Sequence, residues 1–159
     1  MAKTATLLQH KSAATDLADV TAGAEEHEAA HQFIEQLAEQ ALDRRALLEK
    51  LGLIIPVEEL ASRSGLSPEK IWAACAKGRL FTLETRDGRK LFPSFFANPA
   101  LPGEELEAIS TQLTNVSDSG KWQFFTTPKL SLRGQTPLEA IALGEFERVR
   151  ISAAGFAGR

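Results

Sequence analysis

Apolar positions along the chain change period from one segment to the next. In residues 1–23 the sizeable apolar groups after Met1 are Leu7, Leu8, Leu17 and Val20, scattered among Ala, Thr, Ser and Asp. That is too little to bury, which predicts a flexible arm over 1–23. From Ala24 to Gly52 the spacing becomes helical. Ile34, Leu37, Ala41, Leu48 and Leu51 form a stripe, with Phe33, Ala38 and Leu42 beside it. Glu residues crowd the first turns, and Arg44, Arg45 and Lys50 stand toward the end, as the helix dipole favours. The stripe either covers the next domain or pairs with a second copy of itself, and the sequence leaves both open.

The next segment reads as helix, turn, helix, hairpin. Val57 to Ser64 carries Ala61, small enough for close packing, and Gly65 stands at the bend. Ser67 is placed to cap a second helix, with Pro68 in its first turn. Ile71, Ala74 and Cys75 share the inner face of that helix. Glu69, Lys70, Ala73 and Lys77 fall on the outer one, and Gly78 closes it. Leu80–Thr85 and Lys90–Phe92 flank Asp87-Gly88, a two-residue hairpin signal. The order is that of a winged helix-turn-helix. It is similar in pattern to the small DNA-binding domains of the excisionase and MerR type, which implies operator DNA as a partner. The candidate contacts are Lys70, Lys77, Arg79, Arg86, Arg89 and Lys90, offset by Glu58, Glu59, Glu69, Glu84 and Asp87.

Phe92-Pro-Ser-Phe-Phe96 leads into the Pro-containing stretch 98–102, a packed connector. Glu104 to Val116 predicts a helix with Leu106, Ile109, Leu113 and Val116 inward. Asp118-Ser-Gly120 reads as a break before an aromatic lead-in, Trp122-Gln-Phe-Phe125. Gly134 then turns the chain, Thr136 and Glu139 form a capping box around Pro137, and Leu138, Ile141 and Ala142 share a face up to Gly144. Phe146, Val149 and Ala153 recur at helical spacing to the end. The expected fold is mainly α: a long N-terminal helix, a winged helix-turn-helix-like middle with a β-hairpin, and a small C-terminal helical bundle. The expected blocks are an arm over 1–23, the long helix and winged domain over 24–97, and the bundle over 98–159.

The chain of 159 residues has a net charge of −3, so charge neither demands nor forbids nucleic acid. One cysteine, Cys75, excludes an internal disulfide and suits a reducing compartment; its apolar neighbours mark it as a core residue. Neither a membrane-length apolar run nor a signal peptide is evident, so a cytoplasmic protein is expected. His27-Glu28-Ala29-Ala30-His31 matches the His-Glu-x-x-His zinc signature. It lies in a helix preceded only by the arm, and Glu25 stands where an uncharged residue belongs. A third ligand must come from a carboxylate such as Glu49 or Glu58, so neither a metal site nor a hydrolase is expected. No nucleophile–base arrangement and no Gly-rich loop after a strand is present. The chain is expected to be neither an enzyme nor dependent on a cofactor.

Trp122, Pro128, Leu132, Gly134, Thr136, Pro137, Leu138, Glu139, Ala140 and Gly144 fall in the order of one known pattern. The last 40 or so residues thereby resemble the toxin-binding domain of Xre/MbcA/ParS-type antitoxins. Arg133 stands where that pattern has Gly, and Gln135 where it has a basic residue. The resemblance implies a type II antitoxin that binds a RES-domain toxin, one that degrades NAD or transfers ADP-ribose from it. It further implies repression of the antitoxin's own operon, although such antitoxins usually carry a larger, all-helical DNA-binding domain. The toxin-binding candidates it supplies are Arg133, Gln135, Glu145, Arg148, Phe156 and Arg159. It also implies that the Gly/Ala-rich tail can reach the toxin's cleft. Two readings of that tail stay open: a plug whose terminal carboxylate mimics a phosphate and whose Phe156 fills an apolar part, or a frayed, solvated end. A homodimer or a toxin–antitoxin hetero-oligomer is the expected assembly. The alternative is a free-standing winged helix-turn-helix regulator without a toxin.

Overall fold

The computed structural model describes the backbone of residues 2–158 and the side chains of residues 21–158. The chain divides into two compact units, Met1–Asp43 and Arg44–Arg159. The fold is mainly helical, with a small antiparallel sheet and a long N-terminal helix.

The first unit lies within helix α1, Ala2–Lys50. Helical backbone therefore begins at Ala2, where the sequence was expected to hold an arm up to residue 23. The reason is local: before Gly23 the segment is free of Gly and Pro and rich in Ala, the strongest helix former. A poor apolar stripe argues against burial, not against helix. In the first unit the side chains of residues 21–40 are exposed.

The second unit opens with the last turns of α1. Gly52, at φ 74°, ends them, and Leu53 N–H closes back on the Leu48 carbonyl at 2.9 Å. Strand β1 (Ile54–Ile55) is followed by α2 (Val57–Ser64), α3 (Pro68–Ala76), β2 (Leu83–Glu84) and β3 (Lys90–Pro93). The sheet order is β1-β3-β2, antiparallel, with Ile55 opposite Phe92 and Leu83 opposite Leu91. Strand alternation splits its side chains between two faces. Ile55 and Phe92 join Leu60, Ile71, Ala74 and Leu80 under α2 and α3. Ile54, Leu83 and Leu91 pack on the other face against Leu48 and Trp122. Gly65 caps α2 at φ 75°, and the Ser67 hydroxyl accepts from Lys70 N–H to start α3. The winged helix-turn-helix order is thus realised. The hairpin connection differs from the expected two-residue turn. Thr85 N–H bonds the Arg89 carbonyl at 2.8 Å and Gly88 N–H bonds the Thr85 carbonyl, which leaves a three-residue loop with Gly88 at φ 82°. The Thr85 hydroxyl donates to the Asp87 carboxylate and holds the loop in this wider form.

After a 3-10 turn at Ser94–Ala97 come α4 (Gly103–Gln112), α5 (Asp118–Thr126), α6 (Pro137–Ala142) and α7 (Phe146–Ala157). Helix α5 overturns the expected break: Ser117 caps it, its hydroxyl accepting from Gly120 N–H, and Asp118 sits in the first turn. A Cβ on Gly120 would lie 2.6 Å from Val116 Cγ1, so this glycine permits close approach of the chain and does not end a helix. The capping box at Thr136 and Glu139 forms as expected. On α6 it is Ala140, not Ala142, that is buried beside Ile141. Phe81 and Phe95, from before residue 98, lie in the same buried cluster as Leu106, Phe124, Phe125 and Val149. Phe81 stacks on Phe125 at 6.1 Å and Phe95 on Trp122 at 5.9 Å. The winged segment and the bundle share one core.

Candidate partner-binding and nucleic-acid surfaces

The C-terminal surface is built on the segment between α5 and α6. Lys129 and Gln135 form an isolated antiparallel bridge, with Lys129 N–H donating to the Gln135 carbonyl at 3.0 Å. A 3-10 turn, Leu130–Leu132, fills the loop so formed. Arg133 closes it in the left-handed conformation, φ 57° and ψ 36°, followed by Gly134 at φ 80°. Position 133, where the antitoxin pattern carries glycine, therefore has the backbone that glycine favours. The turn sends Leu132 into the core and Leu130 outward, at 98% exposure. Opposite it on α7, Ile151 is 64% exposed.

Between the turn and α7 runs an open groove of about 530 Å³. Lys129, Leu130, Arg148, Ile151 and Phe156 line it, and Ser131 and Ser152 meet across it, Oγ to Oγ, at 2.9 Å. Lys129 Nζ sits 4.9 Å from both the Phe124 and Phe156 ring centroids, a cation held over two aromatic faces. The groove is therefore apolar along its walls and cationic at Lys129 and Arg148. Of the toxin-binding candidates, Arg148 and Phe156 come together here. Arg133 is exposed on the turn, and Gln135 sits half-buried in the bridge. Glu145, at the start of α7, has one carboxylate oxygen buried and unpaired. Arg159 lies outside the described residues. The expected slender tail is instead helix up to Ala157, and Phe156 packs on Phe124 at 5.3 Å. Phe156 is thus a groove wall fixed from within, because an aromatic ring one helical turn beyond Ala153 continues the buried face of α7. Sequence reading missed Lys129, Leu130 and Ile151. The signal was present: Ile151 is a large apolar residue on the polar side of α7, and Leu130 lies in a tight turn.

On the winged side, Lys70 and Lys77 lie exposed on the outer face of α3, and Lys90 is exposed at the start of β3. Trp72, on α3, rests tilted on Phe92 at 5.0 Å and stays partly exposed. Arg86 is exposed at the loop. Arg79 is half-buried, its Nε enclosed and without a hydrogen-bond partner. Arg89 is committed within the fold: it bonds Glu49 through Nη1 and Nη2 at 2.7 and 3.0 Å, and Asp87 through Nε at 2.8 Å. These carboxylates push its pKa further up. The Thr85 hydroxyl and the Arg89 guanidinium hold Asp87 below the usual carboxylate range. Arg45 donates to the Glu84 carbonyl at 2.8 Å and to Ser119 Oγ, tying the end of α1 to the wing and to α5. Of the expected DNA-contact set, Lys70, Lys77, Lys90 and Arg86 are therefore exposed, Arg79 is half-buried, and Arg89 is engaged within the fold.

His27 and His31 are exposed, and His31 Nε2 lies 3.3 Å from Glu35. Among the described residues no group of three His, Cys, Asp or Glu could hold a metal ion. Burial raises the pKa of Cys75, with Asp118 adding to the effect. Among the described residues no helix is long and apolar enough to cross a membrane. No protein-family model matches the chain, and neither a curated protein nor a solved structure matches it significantly.

Proposed function

We propose that this chain is a cytoplasmic type II antitoxin that binds and neutralises a RES-domain toxin through its C-terminal bundle. The observation that carries this reading is the groove between the Leu130 turn and α7. It gathers two exposed aliphatic side chains, Leu130 and Ile151, and the cations Lys129 and Arg148 in one groove, in the module that resembles the toxin-binding domain. Exposed aliphatic residues over a polar frame are the usual anatomy of a protein-binding patch. Inhibition then follows from occupying the toxin, with no chemistry on this chain.

The test is co-purification of tagged full-length protein with the product of the neighbouring reading frame, followed by an NAD-consumption assay. Leu130→Glu/Ile151→Glu is expected to melt like the parent, release the partner and restore NAD consumption. Full inhibition by this variant, or a neighbour without NAD-consuming or ADP-ribosylating activity, overturns the reading.

A second reading, operator binding through α3 and the wing, draws on the exposed Lys70 and Lys77 on the outer face of the second helix. It stands as autoregulation beside toxin binding, or alone if no toxin partner exists.

A further inference from the structure

Charge is spread unevenly along the chain. Residues 44–97 hold ten of its 18 Lys and Arg but only six of its 21 Asp and Glu, a net charge of +4 in a chain of −3. Within that cationic segment α3 turns one face to solvent: Glu69, Lys70, Trp72, Ala73, Ala76 and Lys77 are all exposed. At 3.6 residues per turn they fill an arc of about 160°. Lys70 and Lys77 stand two turns apart on one edge of it, and neither makes an ion pair among the described residues. Trp72 stands on the opposite edge, 39% exposed, its ring tilted on the buried Phe92 at 5.0 Å. Between the edges lie Glu69 and the small side chains Ala73 and Ala76, which let the helix axis come close to whatever covers it.

The inference rests on the operator-binding reading and names what that face recognises. In the major groove, guanine and adenine are read bidentately by Arg, Lys, Asn and Gln. Helix α3 holds no Arg, Asn or Gln, and its exposed lysines sit on one edge, where phosphates are met. The rest of the face is apolar apart from Glu69. Apolar side chains recognise one feature of the base edges, the thymine methyl group. Trp72 is already held by Phe92, so contact costs it little freedom. Glu69 is an acceptor and disfavours the two acceptors that guanine presents.

We propose that α3 recognises thymine-containing duplex DNA by apolar contact in the major groove, with Trp72 determining specificity for the thymine methyl group and Lys70 and Lys77 on the phosphates. Ala73 and Ala76 admit the helix to the depth at which Trp72 meets the base edges. The inference is independent of the toxin-binding reading, since it uses none of the C-terminal bundle.

The test uses the full chain and fluorescence anisotropy on duplexes tiling the region upstream of its gene. The duplex bound most tightly is remade with deoxyuridine in place of every thymidine, which removes only the methyl groups. The parent is expected to bind it more weakly, by about fourfold for each methyl it buries. Trp72→Ala is expected to lose most of that discrimination while Lys77→Ala, acting on phosphates, keeps the parental ratio. Trp72→Gln serves if thermal melting shows the alanine variant to be unfolded. If no duplex binds, the operator reading falls and this proposal with it. If the parent binds both duplexes equally, if the Trp72 variant keeps the parental ratio, or if Lys77→Ala loses it as well, operator binding stands and this proposal is overturned.

Discussion

Glu49, on the last turn of α1, grips Arg89, on the wing, through two parallel hydrogen bonds of 2.7 and 3.0 Å. A bidentate guanidinium–carboxylate pair fixes both position and orientation of the arginine. With Nε bonded to Asp87 as well, one of the six expected DNA contacts is spent on holding the wing to α1. If α3 and the wing bind operator DNA, the affinity therefore rests on the exposed cations, Lys70 and Lys77 on α3 foremost, and not on Arg89. Each Lys→Ala change is expected to weaken binding and to lower the slope of log affinity against log salt by about 1. Arg89→Ala is expected to leave that slope nearly unchanged. Fluorescence anisotropy on upstream duplexes over a salt series checks this; a larger loss for Arg89→Ala than for Lys70→Ala reverses the assignment.

The same loop sets a pH dependence. Asp87 is held below its ordinary pKa by Thr85 and Arg89, so its folded value lies under its unfolded one. Its contribution to stability is then present above the unfolded value, about pH 4, and is lost as pH falls through the lowered folded value. Asp87→Asn removes that contribution. Melting temperatures of parent and Asp87→Asn are expected to differ by a constant amount above about pH 5 and to converge in stronger acid. A gap that widens toward low pH contradicts the sign.

Local signals were readable where one residue type admits one conformation. Ser67 with Pro68, Thr136 with Glu139, and the glycines at 65, 78 and 144 placed helix ends that the structure keeps. Where an identical signal serves two structures, reading failed. Gly120 marks a turn as readily as a close contact, and only the position of Val116 decides. Asp87-Gly88 suits both a two- and a three-residue loop, and the Thr85 hydroxyl decides. For the candidate surfaces, the resemblance supplied Arg148 and the helix-turn-helix pattern supplied Lys70 and Lys77, but the engagement of Arg89 depends on Glu49, 40 positions away, which no local pattern shows.

Phe125 is fully buried, stacked on Phe81, tilted against Phe95 and edge-on to Phe124. Trp122 opens the same aromatic segment, and as a large apolar ring at the start of the bundle it would be expected to be buried between the last helices. It is half-buried instead, stacked on Phe95 and lining an open cleft with Leu53, Asn98 and Leu138. Truncation costs most where the hole cannot be filled by water or by movement. Phe125→Ala is expected to cost about 3–5 kcal/mol and Trp122→Ala less. Because Phe81 and Phe95 belong to the winged segment, Phe125→Ala is also expected to lower the stability of both segments in one transition. Urea unfolding followed by far-UV circular dichroism separates these outcomes; two resolved transitions in the parent exclude a shared core.

The end of α7 carries the last prediction. Deleting residues 155–159 removes more than a tail, because Phe156 rests 5.3 Å from Phe124 and Lys129 Nζ sits over both rings. Loss of a half-buried aromatic group together with its cation contact is expected to cost about 2–4 kcal/mol, less than a fully buried phenylalanine because part of the ring already faces water. Removing only Gly158 and Arg159 leaves that packing in place and is expected to leave the melting temperature unchanged. The pair of truncations therefore separates two ways in which the C-terminus can matter. If the shorter deletion restores toxin activity at parental stability, the terminal residues themselves obstruct the toxin's cleft. If only the longer one does, and its melting temperature falls in step, inhibition depends on the groove wall that Phe156 supports. Thermal melts run beside the NAD-consumption assay decide between them, and a longer deletion that melts like the parent shows that Phe156 contributes nothing to the bundle.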